Sequence, residues 1–368
     1  MTAPLEIFLV VAPGFEEALA SEAQEAGFKG VRALPGGVVI DGDWSEVWRA
    51  NLVLRGATRV LARIAEFRAM HLAQLDKRAR KIDWAALLGP ETPVKVECTC
   101  RKSRIYHDRA ARDRIARAIH ETLGAPISLD ASLIVKARID DDLCTISIDT
   151  SGESLHKRGH KVAVNKAPMR ETLASLMLRD AGFDGTQTVL DPMCGSGTFV
   201  IEAAERAAGY FAGRARRFAF VSLTNFDAHQ MSELKTPGPI RPAHRRFFGF
   251  DRDVGAINMS QENADRAGVK DWVTFDHAAI SDLTPPEIEP GLVVVNPPYG
   301  GRIGNKKLLY ALYGTFGSVM RDRFEGWRVV LITNEPGLAK ATELTFAKTP
   351  RMLSHGGLKV GLYKTEVL

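Results

Sequence analysis

Two short motifs in this 368-residue chain hold residue types that chemistry needs at close spacing. The first, Asn296-Pro297-Pro298-Tyr299, follows an apolar run, Val293 to Val295. The two prolines stiffen the turn and remove two backbone donors. What faces outward is acceptors, the Asn296 amide oxygen and the Pro297 carbonyl, with the flat Tyr299 ring beside them. That set suits an exocyclic amino group on a planar base. Two acceptors hold its N–H bonds, the nitrogen lone pair is aimed at an electrophile, and the ring stacks on the base. No strong side-chain base is needed, since the proton leaves after the transfer. The plainer alternative is a rigid loop after a strand.

The second motif is VLDPMCGSGTFVIEA, with Gly195 and Gly197 between a strand and a helix. Glycines there let the backbone turn tightly and approach a ligand, and the helix N-terminus offers free N–H groups. The run lacks the third glycine of a dinucleotide fingerprint and the Lys-Ser/Thr of a phosphate loop. Asp191 at the strand end suits a ligand bearing an ammonium group and repels a pyrophosphate. Asp251 ends the next strand, where a carboxylate accepts both hydroxyls of a ribose. Cys194 reads as a packing residue rather than a nucleophile.

The elements around these motifs alternate. TVLDP, FFGFD, WVTFD, LVVVNPP and WRVVLITNE are apolar strands, and most are followed by a stretch with helical spacing. Fully apolar strands between helices indicate a parallel sheet covered on both faces. The tail around Gly356-Gly357 reads as a terminal hairpin. The first 150 residues have smaller units. Residues 5–11 and 37–40 read as strands, FEEALASEAQEAG as a helix stopped by Gly27, and Trp44 to Ala65 as a helix and then a strand. Residues 94–100, 132–138 and 143–149 read as further strands. A helix from Asp108 to about Leu123 has Ala111, Ile115, Ala118 and Ile119 on one face. Ser151 to Pro168 reads as a linker.

Charge is clustered. The net charge is +5 with pI about 9.0. Residues 101–117 hold seven Arg/Lys against two Asp, and residues 156–170 hold five with no acid. Smaller basic clusters lie at 77–81, 214–217 and 241–246. Together they fit a polyanion track, although any single cluster by itself reads more readily as a solvated surface. His107, His156 and His160 read as surface or phosphate-contacting groups. Composition is that of a folded chain, with 45% hydrophobic and 25% charged residues. No run of about 18 apolar residues offers a membrane span, and no signal peptide is evident at the N-terminus. The four cysteines, Cys98, Cys100, Cys144 and Cys194, include one Cys-x-Cys and suit reduced thiols in the cytoplasm better than disulfides or a zinc site.

Asp191 to Thr198 followed by Asn296 to Tyr299 resembles the class I S-adenosylmethionine-dependent amino-methyltransferases, nearest the THUMP-domain RNA guanine-N2 methyltransferases. The likeness extends to Leu155-His156-x-Arg158-Gly159 and to Ala167-Pro168-x-x-Glu171-Thr172-Leu173-Ala174, and more softly over the N-terminal 150 residues. It implies an α/β architecture: a C-terminal Rossmann-like sheet with a terminal β-hairpin over 156–368, behind an N-terminal α+β part. That part divides into a ferredoxin-like piece, 1–60, and a THUMP-like RNA-binding domain, 61–155. By resemblance, Asp191, Pro192, Met193, Cys194, Gly195, Ser196, Gly197 and Thr198 hold the amino-acid part of S-adenosyl-L-methionine. Asp251 takes the ribose, and Pro168, Arg170 and Glu171 line the methionine end. Asn296, Pro297, Pro298 and Tyr299 hold the target amine. Arg101, Lys102, Arg104, Arg109, Lys157 and Arg158 are expected on RNA. Two positions depart from the family. An acid that binds the adenine amine is replaced by Ala279, so that Asp276 or a backbone carbonyl takes the role. A Glu after the corner is replaced by Gly301.

The expected activity is methyl transfer to a guanine amine in structured RNA, 23S rRNA ahead of tRNA. Adenine-N6 nucleic-acid methylation, glutamine-N5 methylation of release factors and a non-catalytic RNA assembly factor are the rivals. About 70 residues follow the corner, too few for a DNA-reading domain there. Recognition then falls to the N-terminal module and the basic segment 206–246, by shape and phosphate contacts, with the target nucleotide flipped out.

Overall fold

Residues that alternate between a core and an open face build the first sheet. A computed structural model describes residues 5–162, 168–236, 244, 246–299, 306–355 and 358–368. Its contacts divide the chain into two units, one of Met1–Val11, Ala20–Leu155 and Arg216–Thr236, the other of Ala12–Leu19, His156–Ala215 and Pro237–Leu368. The first unit holds strands β1 (Leu5–Val10), β2 (Lys29–Leu34), β3 (Gly37–Gly42), β4 (Arg59–Arg68), β5 (Val94–Arg101), β6 (Leu133–Asp140) and β7 (Leu143–Asp149). They form one sheet in the order β2-β3-β1-β4-β7-β6-β5. Ile7, Leu9, Val60, Ala62, Val135 and Ala137 are at most 3% exposed while their strand neighbours are not, as a sheet with one covered face requires. β4 runs across residue 60 and pairs with β1 on one side and β7 on the other, so the sheet is continuous there.

Helices α1 (Glu16–Glu25), α2 (Trp44–Val53), α3 (Leu72–Ala79) and α4 (Asp108–Leu123) accompany these strands. α4 buries Ala111, Ile115, Ala118 and Ile119, the stripe expected from spacing, and ends at Gly124 with φ +85°. β2 has no counterpart in the sequence reading. It is an edge strand with no fully buried residue, so its sequence, KGVRAL, shows no apolar alternation.

The segment 216–236, expected to help read RNA, packs with the N-terminal elements. It belongs to the first unit, where Phe218 and Phe220 stack at 5.0 Å and Phe226 meets Trp48 edge-on at 5.5 Å. Arg216, 9% exposed, donates to the carbonyls of Glu153 (2.6 Å) and Ser154 (3.0 Å). The cluster at 241–246 falls mostly outside the described residues.

The chain continues with α5 (Glu171–Asp180), β8 (Val189–Asp191), α6 (Thr198–Ala208), α7 (Ala228–Lys235, in the first unit), β9 (Phe247–Asp251), α8 (Val254–Ala267), β10 (Val273–His277), β11 (Leu292–Val295), α9 (Lys306–Arg323), β12 (Arg328–Thr333), α10 (Pro336–Ala341), β13 (Arg351–His355) and β14 (Leu358–Lys364). The second sheet runs β10-β9-β8-β11-β12-β14-β13. Its first five strands are parallel, β14 is antiparallel to β12, and β13 and β14 form the expected hairpin. Leu292 to Val295 are 0–1% exposed, the burial that an all-apolar central strand implies. Strand order reverses between β8 and β11. A crevice opens at the carboxyl ends of strands beside such a reversal, and ligands bind there.

Candidate active site

Asp191 ends β8 and Asn296 follows β11, its neighbour, so the two motifs meet at the switch point although 105 positions separate them. Pro192 is buried and Met193 half-buried after Asp191. Gly195 (φ +56°) and Gly197 (φ +79°) take backbone conformations that L side chains rarely adopt. The loop is held from behind by α8. Ser260 Oγ donates to the Gly195 carbonyl (2.9 Å) and Asn263 Nδ2 to the Ser196 carbonyl (3.1 Å). The Cys194 N–H donates to the Phe250 carbonyl (2.8 Å). Cys194 is 6% exposed and burial raises its thiol pKa well above the ordinary value, which fits packing and not nucleophilic attack. A Cβ on Gly195 would meet nothing within 4 Å, so the loop has an open side where a ligand fits.

Two carboxylates flank the loop. Asp251 Oδ2 accepts from the Gly195 N–H and Oδ1 from the Asp253 N–H, both at 3.0 Å. Asp191, 3% exposed, accepts from the Met193 N–H at 3.0 Å. Burial pushes the Asp191 carboxyl up to about 8, against the opposing hydrogen bond from Met193 and with a smaller push from the Asp251 charge. A buried acid beside a like charge is a site that a bound ammonium group relieves.

At the corner, Asn296 is half-buried but its Oδ1 is fully buried and has no hydrogen-bond partner among the described residues. A buried acceptor left unmade costs free energy unless a ligand meets it. Asn334, just past β12, leaves its Oδ1 buried in the same state. Tyr313 on α9 donates to the Pro298 carbonyl at 3.4 Å and ties the corner down. Tyr299 is a correction. The ring was expected open to a base, but it is 1% exposed and serves as a wall. Gly301 lies outside the described residues.

The arm before α5 brings Pro168 and Arg170, both exposed, next to Glu171, which is 4% exposed. Lys161 Nζ lies 3.4 Å from Glu171 Oε1. Asp276 is exposed on β10, one strand beyond Asp251, and Ala279 precedes a 3-10 turn.

The basic segment 156–162 was expected as a linker and a phosphate track. The division between the two units falls at its start, after Leu155, and the burial of two of its residues, Arg158 and His160, opposes the phosphate-track reading for them. Arg158, 2% exposed, pairs with Glu202 at 3.0 Å, so its guanidinium is turned inward and withdrawn from any RNA surface. His160, 5% exposed, faces Glu205 at 3.7 Å and is no surface group. Burial and neighbouring cations push the His156 imidazole down to about 4. Lys157 remains exposed. Sequence gave no means to tell these cations from solvated ones, because their partners lie on α5 and α6.

The expected RNA residues of the first unit fare differently. Lys102 and Arg104 are exposed on the loop between β5 and α4, and Arg101 at the end of β5 and Arg109 in the first turn of α4 are exposed on either side of it. Ser103 Oγ donates to the Arg101 carbonyl (2.6 Å), Asp142 accepts from the Arg104 N–H (2.8 Å), and buried Ile105 anchors the turn. Tyr106, not singled out from sequence, is 72% exposed with its ring 4.0 Å from that of His107. Among the described residues no group of three or more His, Cys, Asp or Glu is placed to hold a metal ion, and no helix is long and apolar enough to cross a membrane.

Comparison with known proteins finds matches along the whole chain. An RMKL-like methyltransferase domain matches residues 158–360. A Synechocystis protein assigned as an RNA methyltransferase is 31% identical over 98% of this chain and 96% of its own length. The chain belongs to the RMKL-like methyltransferase family. Ahead of this methyltransferase domain, an RlmL ferredoxin-like domain matches residues 6–61 and a THUMP domain residues 69–149. Ribosomal RNA large subunit methyltransferase K/L of Vibrio campbellii is 30% identical over 95% of the chain, which spans about half (51%) of that relative's length. Among solved structures, SMU.472 complexed with SAH superposes with TM-score 0.88 at 24% identity, covering 100% of this chain and 99% of that one, a likeness of fold.

Proposed function

We propose that this methyltransferase moves a methyl group from S-adenosyl-L-methionine to the N2 amine of a guanine in structured RNA, 23S rRNA ahead of tRNA, in the cytoplasm. The observation that carries it is the unpartnered Asn296 amide oxygen, buried on a proline-stiffened turn one strand from a buried carboxylate. The residues fit the cofactor: Asp191 answers an ammonium group, the open side of Gly195 admits a ligand, and Asp251 retains lone pairs for ribose hydroxyls. When bound, S-adenosylmethionine supplies an electrophilic sulfonium methyl. Asn296 Oδ1 and the Pro297 carbonyl hold the two N–H bonds of the target amine, orient its lone pair and, by holding it in place, replace a bimolecular encounter with a positioned one. Support for RNA comes from the THUMP match, the exposed cations between 101 and 109 around the β5–α4 loop, and the name of the Vibrio relative.

Mass spectrometry of rRNA and tRNA nucleosides from cells with and without the gene tests the reading. N2-methylguanosine should disappear from a fragment of the large-subunit RNA. Loss of N6-methyladenosine instead would overturn the base, and an unchanged profile would overturn the activity.

Two further outcomes follow from the site. Because the Asp191 carboxyl sits at about 8, cofactor binding at pH 7 should release close to one proton, and affinity should rise as pH climbs towards 8 and then fall as the ligand's own α-ammonium, with an ordinary pKa of about 8, loses its proton. The same raised pKa means Asp191 adds stability below about pH 4, the unfolded value, and that this is lost as pH rises to 8. Calorimetry in buffers of different ionisation enthalpy reads the proton, and Asp191→Asn should abolish its release. Separately, replacing Arg101, Lys102, Arg104 and Arg109 together by Ala should flatten the slope of log affinity for RNA against log salt by about three. An unchanged slope would remove the loop from the RNA interface.

A further inference from the structure

We propose that Lys161 is a positioning residue for the cofactor: its buried ammonium group fixes, relative to one another, the two chain segments that frame the amino-acid end of the pocket. This rests on the reading that S-adenosylmethionine lies between the glycine loop and the 168–171 arm. Lys161 Nζ donates to the Met169 carbonyl at 2.7 Å and to Thr198 Oγ1 at 2.9 Å, and lies 3.4 Å from Glu171 Oε1. An ammonium has three donors and no acceptor. Here the three meet one backbone oxygen of the arm, one carboxylate of the arm and the first residue of α6. The Lys161 side chain is 9% exposed, so water does not compete for these contacts.

The arm needs such a tie. Pro168 to Arg170 form neither helix nor strand, so no backbone ladder sets their distance from α6. Glu171 begins α5 and Thr198 begins α6, and one cation bridges both helix starts. Arg158 and His160, on the same segment, face Glu202 and Glu205, one and two turns further along α6. Those pairs lie below the loop, whereas Lys161 reaches its rim. Apolar side chains of similar volume in place of both partners fill such a space without the desolvation penalty of the ions, so the pair is weak evidence for stability. A cation kept there supplies direction, and direction at this point is pocket shape.

The test uses the full chain, S-adenosylhomocysteine as the calorimetric probe, and thermal unfolding. Lys161→Met should weaken binding at least tenfold and, because it leaves the Glu171 carboxylate buried without its cation, lower the unfolding temperature as well. With RNA in excess, the KM for cofactor should rise by the same factor and kcat should change by less than threefold. Lys161→Arg, whose planar fork does not match three convergent acceptors, should lie between. Thr198→Val should lose about threefold alone and nothing further in the Lys161→Met background, since both remove one contact. The paired replacement R158M/E202L should bind within twofold of the parent protein. Unchanged affinity in Lys161→Met overturns the proposal, as does an equal loss in R158M/E202L, which would make the effect a general loosening of α6. If Lys161→Met does not fold, unchanged affinity in both Lys161→Arg and Thr198→Val overturns it. A parent protein that binds no S-adenosylhomocysteine would instead overturn the cofactor assignment, so the two failures are distinct.

Discussion

Asn296→Ala should leave S-adenosylhomocysteine binding and the unfolding temperature near those of the parent protein while methyl transfer falls by roughly 10²–10³-fold or more, the usual scale for losing one preorganised polar group at a reacting centre. The side-chain oxygen has no partner among the described residues, so its removal breaks no internal hydrogen bond and even relieves a buried unsatisfied acceptor. The loss is confined to the target. The amine keeps the Pro297 carbonyl but is free to rotate, and its lone pair spends little time in line with the electrophile. Asn296→Asp, which keeps an oxygen acceptor, should retain more activity than Ala. Single-turnover transfer to RNA reads the step directly. A rate within twofold of the parent protein would mean that the corner does not hold the reacting amine.

Gly197→Ala should cost both stability and cofactor affinity, and Gly195→Ala chiefly affinity. Gly197 has φ +79°, and a Cβ there would sit 2.9 Å from Phe275 Cζ and 3.1 Å from Ser260 Cβ and Oγ. The ring and α8 are packed behind the loop, so the loop itself must move. Backbone strain and overpacking together amount to about 1–4 kcal/mol. The displaced loop should bind cofactor at least tenfold more weakly. Gly195 has φ +56° but open space around its Cβ position, so its replacement pays only the backbone cost, about 1–2 kcal/mol. The added methyl then occupies the space where a ligand would lie. Thermal unfolding beside calorimetry with S-adenosylhomocysteine separates the two variants. Equal affinity losses at equal stability would show that the loop's open side is not the ligand's side.

Much of this site was legible because its residues act locally. Asp191, Gly195, Gly197 and Thr198 are consecutive or nearly so, and the strand–turn–helix they form is written in apolar run, glycine and apolar stripe. Asn296 to Tyr299 carry their stiffness in two prolines. The α4 stripe and the all-apolar β11 were equally plain, since period and composition report burial directly. Their meeting at one crevice followed only from the strand order that places β8 beside β11.

Charge was the part that sequence misjudged. Arg158, Lys161 and Lys157 stand within five positions and read alike, yet two are buried against carboxylates and one is exposed. Arg216 turned to backbone carbonyls and Tyr299 was sealed in, while Arg101, Lys102, Arg104 and Arg109 stayed in solvent. The chemistry of a side chain is fixed by its own atoms, and a short spacing fixes its neighbours along the chain. By itself, therefore, the sequence determined the reactive groups, the loop and the turn. Whether a cation faces water or a carboxylate depends on partners such as Glu171, Glu202 and Glu205, which only the packing of α5 and α6 brings near, and that decision belonged to the tertiary structure.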